Sequence, residues 1–189
     1  MGCDYDFETI VKLVVHSMEK LKKYDADLLD INVNERSISH KLAEYLQLEF
    51  PEWNVDCEYN RKMLNRKTLN VSYTDITDED IEAKTIYPDI IVHHRLTDDN
   101  LLVIEMKKNG IDTSKDEIKL KAFTGREYDY HFGLLLVIKR DIRDSFEMKW
   151  FAEGKQLKAT KRNLPACRLP VGQTGSRFGA VREVLGYGE

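Results

Sequence analysis

Apolar residues recur at helical spacing near the amino end of the chain, and further on they fall into alternating or unbroken runs. Phe7, Ile10, Val11, Val14, Met18 and Leu21 form one stripe and predict a helix over 7–24. A second helix is expected over about 34–49, with Ile38, Leu42, Tyr45 and Leu46 as its buried face. Asn34 is placed as its N-cap, and Glu35 in the first turn suits the helix dipole. Glu35 lies at the edge of the buried stripe; it is either a plain first-turn acid or an acid directed towards the sheet. Glu44 is turned to the opposite, solvated face.

Pro51 stops this helix, and Val55, Cys57 and Tyr59 alternate with polar residues in a strand expected over 53–61. Residues 62–86 begin basic and turn acidic, with an extended segment near Leu69–Tyr73 followed by a short helix or loop. Pro88 to Lys108 then reads as two apolar strands joined by a turn at Thr97–Asn100. A helix over about 114–124 follows, with Ile118 and Leu120–Phe123 partly buried and Gly125 as C-cap. At least two of its three charged residues Asp116, Lys119 and Lys121 are expected to be solvated. Tyr130–Arg140 is a buried strand, and 146–160 is read as a last helix around Trp150 and Phe151. Helices alternating with apolar strands predict one α/β domain over 1–169. The Gly-rich stretch 170–189 has no periodicity and is expected to be a loose tail.

Composition narrows the function classes. At 189 residues, 42% hydrophobic and 33% charged, the chain suits one globular domain rather than a disordered one. Its start is acidic, unlike a signal peptide, and no apolar run approaches the ~20 residues of a membrane span. Cys3, Cys57 and Cys167 are isolated, so neither a disulfide framework nor a zinc knuckle is indicated, and a reducing cytoplasm is the expected location. A net charge of −4 argues against a strongly basic non-specific nucleic-acid binder. It leaves room for a basic rim of Lys149, Lys155, Lys158, Lys161 and Arg162.

The chemistry concentrates in the hairpin. Asp89, Glu105 and Lys107 interrupt strands apolar enough to be buried on both faces, where an unpaired charge costs several kcal/mol. Of five E-x-K triplets, only Glu105-Met106-Lys107 follows an apolar strand and trails the sole Pro-Asp pair. Alternation puts Glu105 and Lys107 on one face. An odd-numbered turn would set Asp89 opposite Lys107 on that face, whereas an even-numbered one needs a bulge. Two carboxylates and an amine suit phosphodiester hydrolysis. Asp89 and Glu105, with the Met106 carbonyl, would hold Mg²⁺ or Mn²⁺, and Lys107 would be the catalytic amine. The competing reading is a cross-strand salt bridge. His93 shares the face of Asp89 if alternation is regular, where a supporting role is the alternative to an ordinary strand histidine; His94 reads as an ordinary one, and a zinc site is poorly supported.

A helix acid, a strand, Pro88-Asp89, fifteen residues, Glu105-x-Lys107, a helix and a strand together resemble the PD-(D/E)xK nuclease superfamily, over roughly Asn34 to Arg140. The runs N-E-R-S-I-S-H-K-L-A-E-Y-L and C-E-Y-N-R resemble small bacterial members of it. The resemblance implies a restriction-endonuclease-like αβββαβ core, a mixed central sheet flanked by helices, and a metal-dependent nuclease acting on DNA. It implies Asp89, Glu105 and Lys107 as the signature residues, with Glu35 as the helix acid and Glu44 second. Lys119 or Lys121 would supply the family's further helix residue, in contact with substrate. A second class is a non-catalytic binding or assembly module of the same fold. The acidic balance favours a protein partner or a second copy that supplies DNA recognition.

Overall fold

The computed structural model describes residues 5–30, 34–59, 61–62, 65–66, 68–69, 84–85, 87–108, 112–138 and 146–158. Helix α1, Phe7–Tyr24, starts at Asp6, whose Oδ1 accepts the Thr9 N–H at 2.7 Å. Helix α2, Ala26–Asp30, is a single added turn that the sequence pattern does not announce. Helix α3, Glu35–Glu49, is capped by Asn34, whose Oδ1 accepts the Ser37 N–H at 3.0 Å. The expected stripes of α1 and α3 are its buried faces, except Phe7 and Tyr45, which are partly buried against the same core.

Strand β1, Asn54–Cys57, is shorter than the alternation implies, because Glu58 turns to a positive φ of 50°. The two-residue strands β2 (Arg61–Lys62), β3 (Asn65–Arg66), β4 (Thr68–Leu69) and β5 (Lys84–Thr85) form two small ladders, β2 with β3 and β4 with β5. Of the segment expected at Leu69–Tyr73, residues 70–73 lie outside the described residues. The central sheet continues with β6 (Ile90–His93), β7 (Asn100–Lys108), β8 (Phe132–Ile138), β9 (Phe146–Ala152) and β10 (Lys155–Gln156). Helix α4, Ser114–Phe123, connects β7 to β8. Its C-cap is Thr124 rather than Gly125; the Thr124 hydroxyl donates to the Leu120 carbonyl at 2.8 Å.

The sheet runs in the order β1-β6-β7-β8-β9-β10 and is mixed: β7 and β8 are parallel, and every other neighbouring pair is antiparallel. Alternation sorts the strand residues onto two cores. Ile90, Val92, Leu102, Ile104, Met106, Leu134 and Leu136 meet α1 and α3 on one face. Ile91, Val103, Leu135 and Val137 meet Leu120 and Phe123 of α4 on the other. The protein is thus an α/β fold with a six-stranded mixed sheet between helices. No described helix is long and apolar enough to cross a membrane.

The last helix expected, 146–160, is instead the β9–β10 hairpin. Phe146, Met148 and Trp150 sit at two-residue steps and join the α1 side, where Phe7 meets Trp150 edge-on at 5.2 Å between centroids. Phe151 joins the α4 side, so the Trp-Phe pair is buried on both faces of one strand. Glu153 (φ 52°) and Gly154 (φ 72°) close the hairpin with two residues of positive φ, the turn that matches strand twist. The tail 170–189, the boundary at 169, Cys3, Cys167, Lys161 and Arg162 lie outside the described residues. Lys155 and Lys158 of the expected basic rim are exposed.

The turn makes a prediction. Gly154→Ala places a Cβ in left-handed backbone and should lower stability by about 1–2 kcal/mol, while Glu153→Asn should raise it slightly. Urea unfolding of the three proteins checks both; equal midpoints would show that this turn does not set the hairpin.

Candidate active site

The positions of Asp89, Glu105 and Lys107 follow from one irregularity. His93 pairs with Asn100, so the connection is 94–99, wider than the expected turn and even-numbered, with Asn100 already in β7. Continued without interruption, that register would carry Asp89 to the level of Ile104, on the α1 and α3 face. Between Val92 and His93 the register shifts: Val92 pairs with Leu102, Ile91 with Val103 and Ile90 with Ile104. Leu101 is the extra residue of a β-bulge, and Asp89 comes level with Glu105 instead. Asp89 is therefore opposite Glu105, not Lys107. Alternation then places all three residues on the face covered by α4.

Strand β6 begins only at Ile90, so the edge of β7 beyond it lacks a strand partner. Two carboxylates replace that partner. Asp89 Oδ2 accepts the Met106 N–H at 2.7 Å, and Glu35 Oε1 accepts the Lys108 N–H at 2.7 Å. Residues two apart on a strand direct their N–H groups to the same side, so both acids cap one edge. The Met106 carbonyl leaves the strand on that side too, while its sulfur faces Ser39 Oγ of α3 at 3.2 Å.

On the α4 face, Glu105 is 2% exposed. Its Oε2 accepts from Lys119 Nζ at 3.0 Å, and its Oε1 is buried with no hydrogen-bond partner. Burial pushes this carboxyl up to about 8; Lys119 opposes the rise, while Asp89 and Asp116 add to it. Asp89 is also raised, by burial first, against its bond from Met106. Lys119 Nζ reaches Asp116 Oδ1 as well, at 3.3 Å. Lys107 Nζ lies 3.1 Å from Asp116 Oδ2, an ion pair off the hydrogen-bonding angle. Burial pulls both lysines down, but their acid partners outweigh it, and both ammoniums are held above their usual range.

Asp116 is the residue that sequence reasoning missed. Two of the three charges on α4 were expected in solvent, yet Asp116 is 5% exposed and Lys119 is half-buried; only Lys121 is exposed. The signal was present, since Asp116, Lys119, Leu120 and Phe123 lie at steps that share one helix face. Glu44 is exposed and pairs with Lys41 at 2.7 Å, away from the sheet. His93 bonds Asp56 at 2.9 Å, and His94 bonds Asp99 at 2.8 Å and stacks on Trp53. Lys149 pairs with Glu117 at 2.8 Å rather than standing free on a basic rim.

As the side chains stand, Lys107 and Lys119 lie against Glu105 and Asp116, and no group of three or more His, Cys, Asp or Glu among the described residues converges to hold a metal ion. A Mg²⁺ site does not require one, because this ion keeps several waters and takes one or two carboxylates plus phosphate oxygens. The donors here are oxygens, level on one sheet face, and Glu105 Oε1 is a buried acceptor without a partner. That set fits a hard divalent cation. No family model, no curated protein and no solved structure matches the chain.

A pH dependence follows from the buried acids. Glu105 is raised in the folded state, so between about 4.5 and 8 the folded chain holds a proton that the unfolded chain has released, and Asp89, raised as well, acts in the same direction. Stability should therefore fall as pH rises through that window. In EDTA, Glu105→Gln should flatten the slope and stabilise the protein at pH 8.5 by on the order of 2 kcal/mol. His94, raised by Asp99, leaves a slope of the same sign. An unchanged slope in Glu105→Gln, read by urea unfolding from pH 5 to 8.5, would assign the effect elsewhere.

Proposed function

We propose that the chain is a Mg²⁺- or Mn²⁺-dependent phosphodiesterase acting on DNA in the cytoplasm, built on a restriction-endonuclease-like core. The order α3, β1, β6, β7, α4, β8 supports that core. The observation that carries the activity is the Asp89 carboxylate on the Met106 N–H at 2.7 Å; the bulge-shifted register, extended one residue past Ile90–Ile104, sets Asp89 level with Glu105 on the face that also bears Lys107.

Asp89 and Glu105 would hold the ion, with the Met106 carbonyl beside them. When bound, the ion lowers the pKa of a coordinated water and neutralises charge on the phosphate. Glu105 must ionise to take part, and a nearby divalent charge favours that ionisation over the raised value burial imposes. Lys107 remains an ammonium because Asp116 and Glu35 hold its proton. It acts by stabilising the negative charge that develops on the phosphate and by orienting the attacking water, rather than by taking a proton. The water oxygen forms the new P–O bond and gives up its proton to solvent, while the bond to the leaving sugar oxygen breaks and that oxygen takes a proton from solvent. With a net charge of −4, a protein partner or a second copy would contribute DNA recognition.

One observation favours a second reading, a non-catalytic binding or assembly module. Lys119 and Lys107 already pair with Glu105 and Asp116, so the charges are compensated within the chain. Cleavage of plasmid, linear and single-stranded DNA in Mg²⁺ or Mn²⁺ separates the two. The nuclease reading expects metal-dependent cleavage that Lys107→Ala lowers by roughly 100-fold or more. Equal rates in the two proteins would sink the mechanism, and DNA retention without cleavage would select the module.

A further inference from the structure

Glu105 and Asp116 come from different elements, β7 and α4, yet share one cation: the Lys119 ammonium lies 3.0 Å from one carboxylate and 3.3 Å from the other. Their side chains are 3% and 7% exposed; Oε1 of Glu105 is buried with no hydrogen-bond partner, and Oδ2 of Asp116 meets the Lys107 ammonium at 3.1 Å. Two buried carboxylates this close need a positive charge between them. Glu105 Oε1 is acceptor capacity that the Lys119 ammonium has not filled. The lysine is the exchangeable member. Its side chain is 28% exposed at the end of a flexible stem, so the head can move into solvent without unfolding α4.

We propose that Asp116 belongs to the cation site together with Glu105, and that Lys119 is a resident counter-ion which a divalent cation displaces. The proposal rests on the reading that the site takes such a cation. It makes Lys119 a competitor of the metal, and it explains why an acid on α4 is buried beside the E-x-K strand. Displacement also frees an ammonium at the moment the cation enters, next to where a phosphodiester would meet it. Asp116 holds Lys107 as well, so exchange at Asp116 couples the positions of both lysines.

The test is Mn²⁺ binding to the full chain by calorimetry. Lys119→Met, which keeps the stem and removes the charge, should bind Mn²⁺ roughly tenfold more tightly than wild type, and Lys119→Arg should not. Adding Asp116→Asn to Lys119→Met should return the affinity to the wild-type value or below. Lys119→Met leaves two buried acids uncompensated, so its melting temperature should fall in EDTA and recover with Mn²⁺ by more than wild type gains. Should that variant fail to fold even with Mn²⁺, wild type answers alone. In ¹⁵N-lysine spectra, the Lys119 ammonium signal, sheltered by two carboxylates, should be lost or shifted as Mg²⁺ is added. Unchanged affinity in Lys119→Met, or a Lys119 signal unmoved at saturating Mg²⁺, overturns the exchange and leaves the divalent-cation reading standing. Absence of Mn²⁺ binding in wild type and variant alike overturns both.

Discussion

Burying a carboxylate costs several kcal/mol unless something positive meets it, and Glu105 is buried at the centre of a six-stranded sheet. What meets it is Lys119, from the helix that crosses over between β7 and β8. That contact ties α4 to the strand it follows and sets the helix's rotation. With Lys119 turned to Glu105, Leu120 and Phe123 face the sheet and Asp116 is carried inward. Asp116 then draws Lys107 to the same place. One buried acid thereby organises three further charges. A hydrophobic residue at 105 would pack as well or better and would remove the reason for all of them. A sheet that only had to fold would not need this group.

The second constraint is parity. Side chains alternate faces at every step, so a single added residue in β7 decides whether an acid at the start of β6 joins Glu105 or the opposite core. Leu101 is that residue. The bulge lies at the far end of the hairpin from Glu105, and it acts there through register alone. Beyond the start of β6, Asp89 and Glu35 supply acceptors for backbone N–H groups that no strand reaches. Carboxylates in those positions serve the fold, as sheet-edge caps, and keep a second oxygen for other partners. The same atoms answer both the stability question and the chemical one.

These two facts explain which parts could be read from the sequence. Helices α1 and α3 were legible because their stripes and caps are local, down to Asn34 and its bond with Ser37. The unbroken apolar runs of β7 and β8 were legible because both of their faces are covered. Strand β9 was not, because Trp150 and Phe151 are adjacent and bulky, and only the layered fold shows that each serves a different core. The grouping of Glu105 with Lys107 needed only alternation. Placing Asp89 beside them required the bulge, and nothing in the identity of Leu101 announces one. Asp116 had the right helical spacing. Its burial depends on a cross-element partner, however, and charged residues on a short helix are by default solvated.

The cluster's location has a topological cause. β7 is the strand at which the sheet changes from an antiparallel neighbour, β6, to a parallel one, β8. A parallel neighbour requires a crossover, and the crossover must start where β7 ends, which brings α4 over the strand's carboxyl end. On the other side, β6 runs the opposite way and begins late, leaving that same end of β7 uncovered. The carboxyl end of β7 is therefore the place where one helix, one strand start and one strand end can all present side chains to a common point. Open α/β sheets place ligands outside the carboxyl ends of their strands. Here the side chains converging on it are acids and lysines, where the fold by itself would be better served by apolar ones.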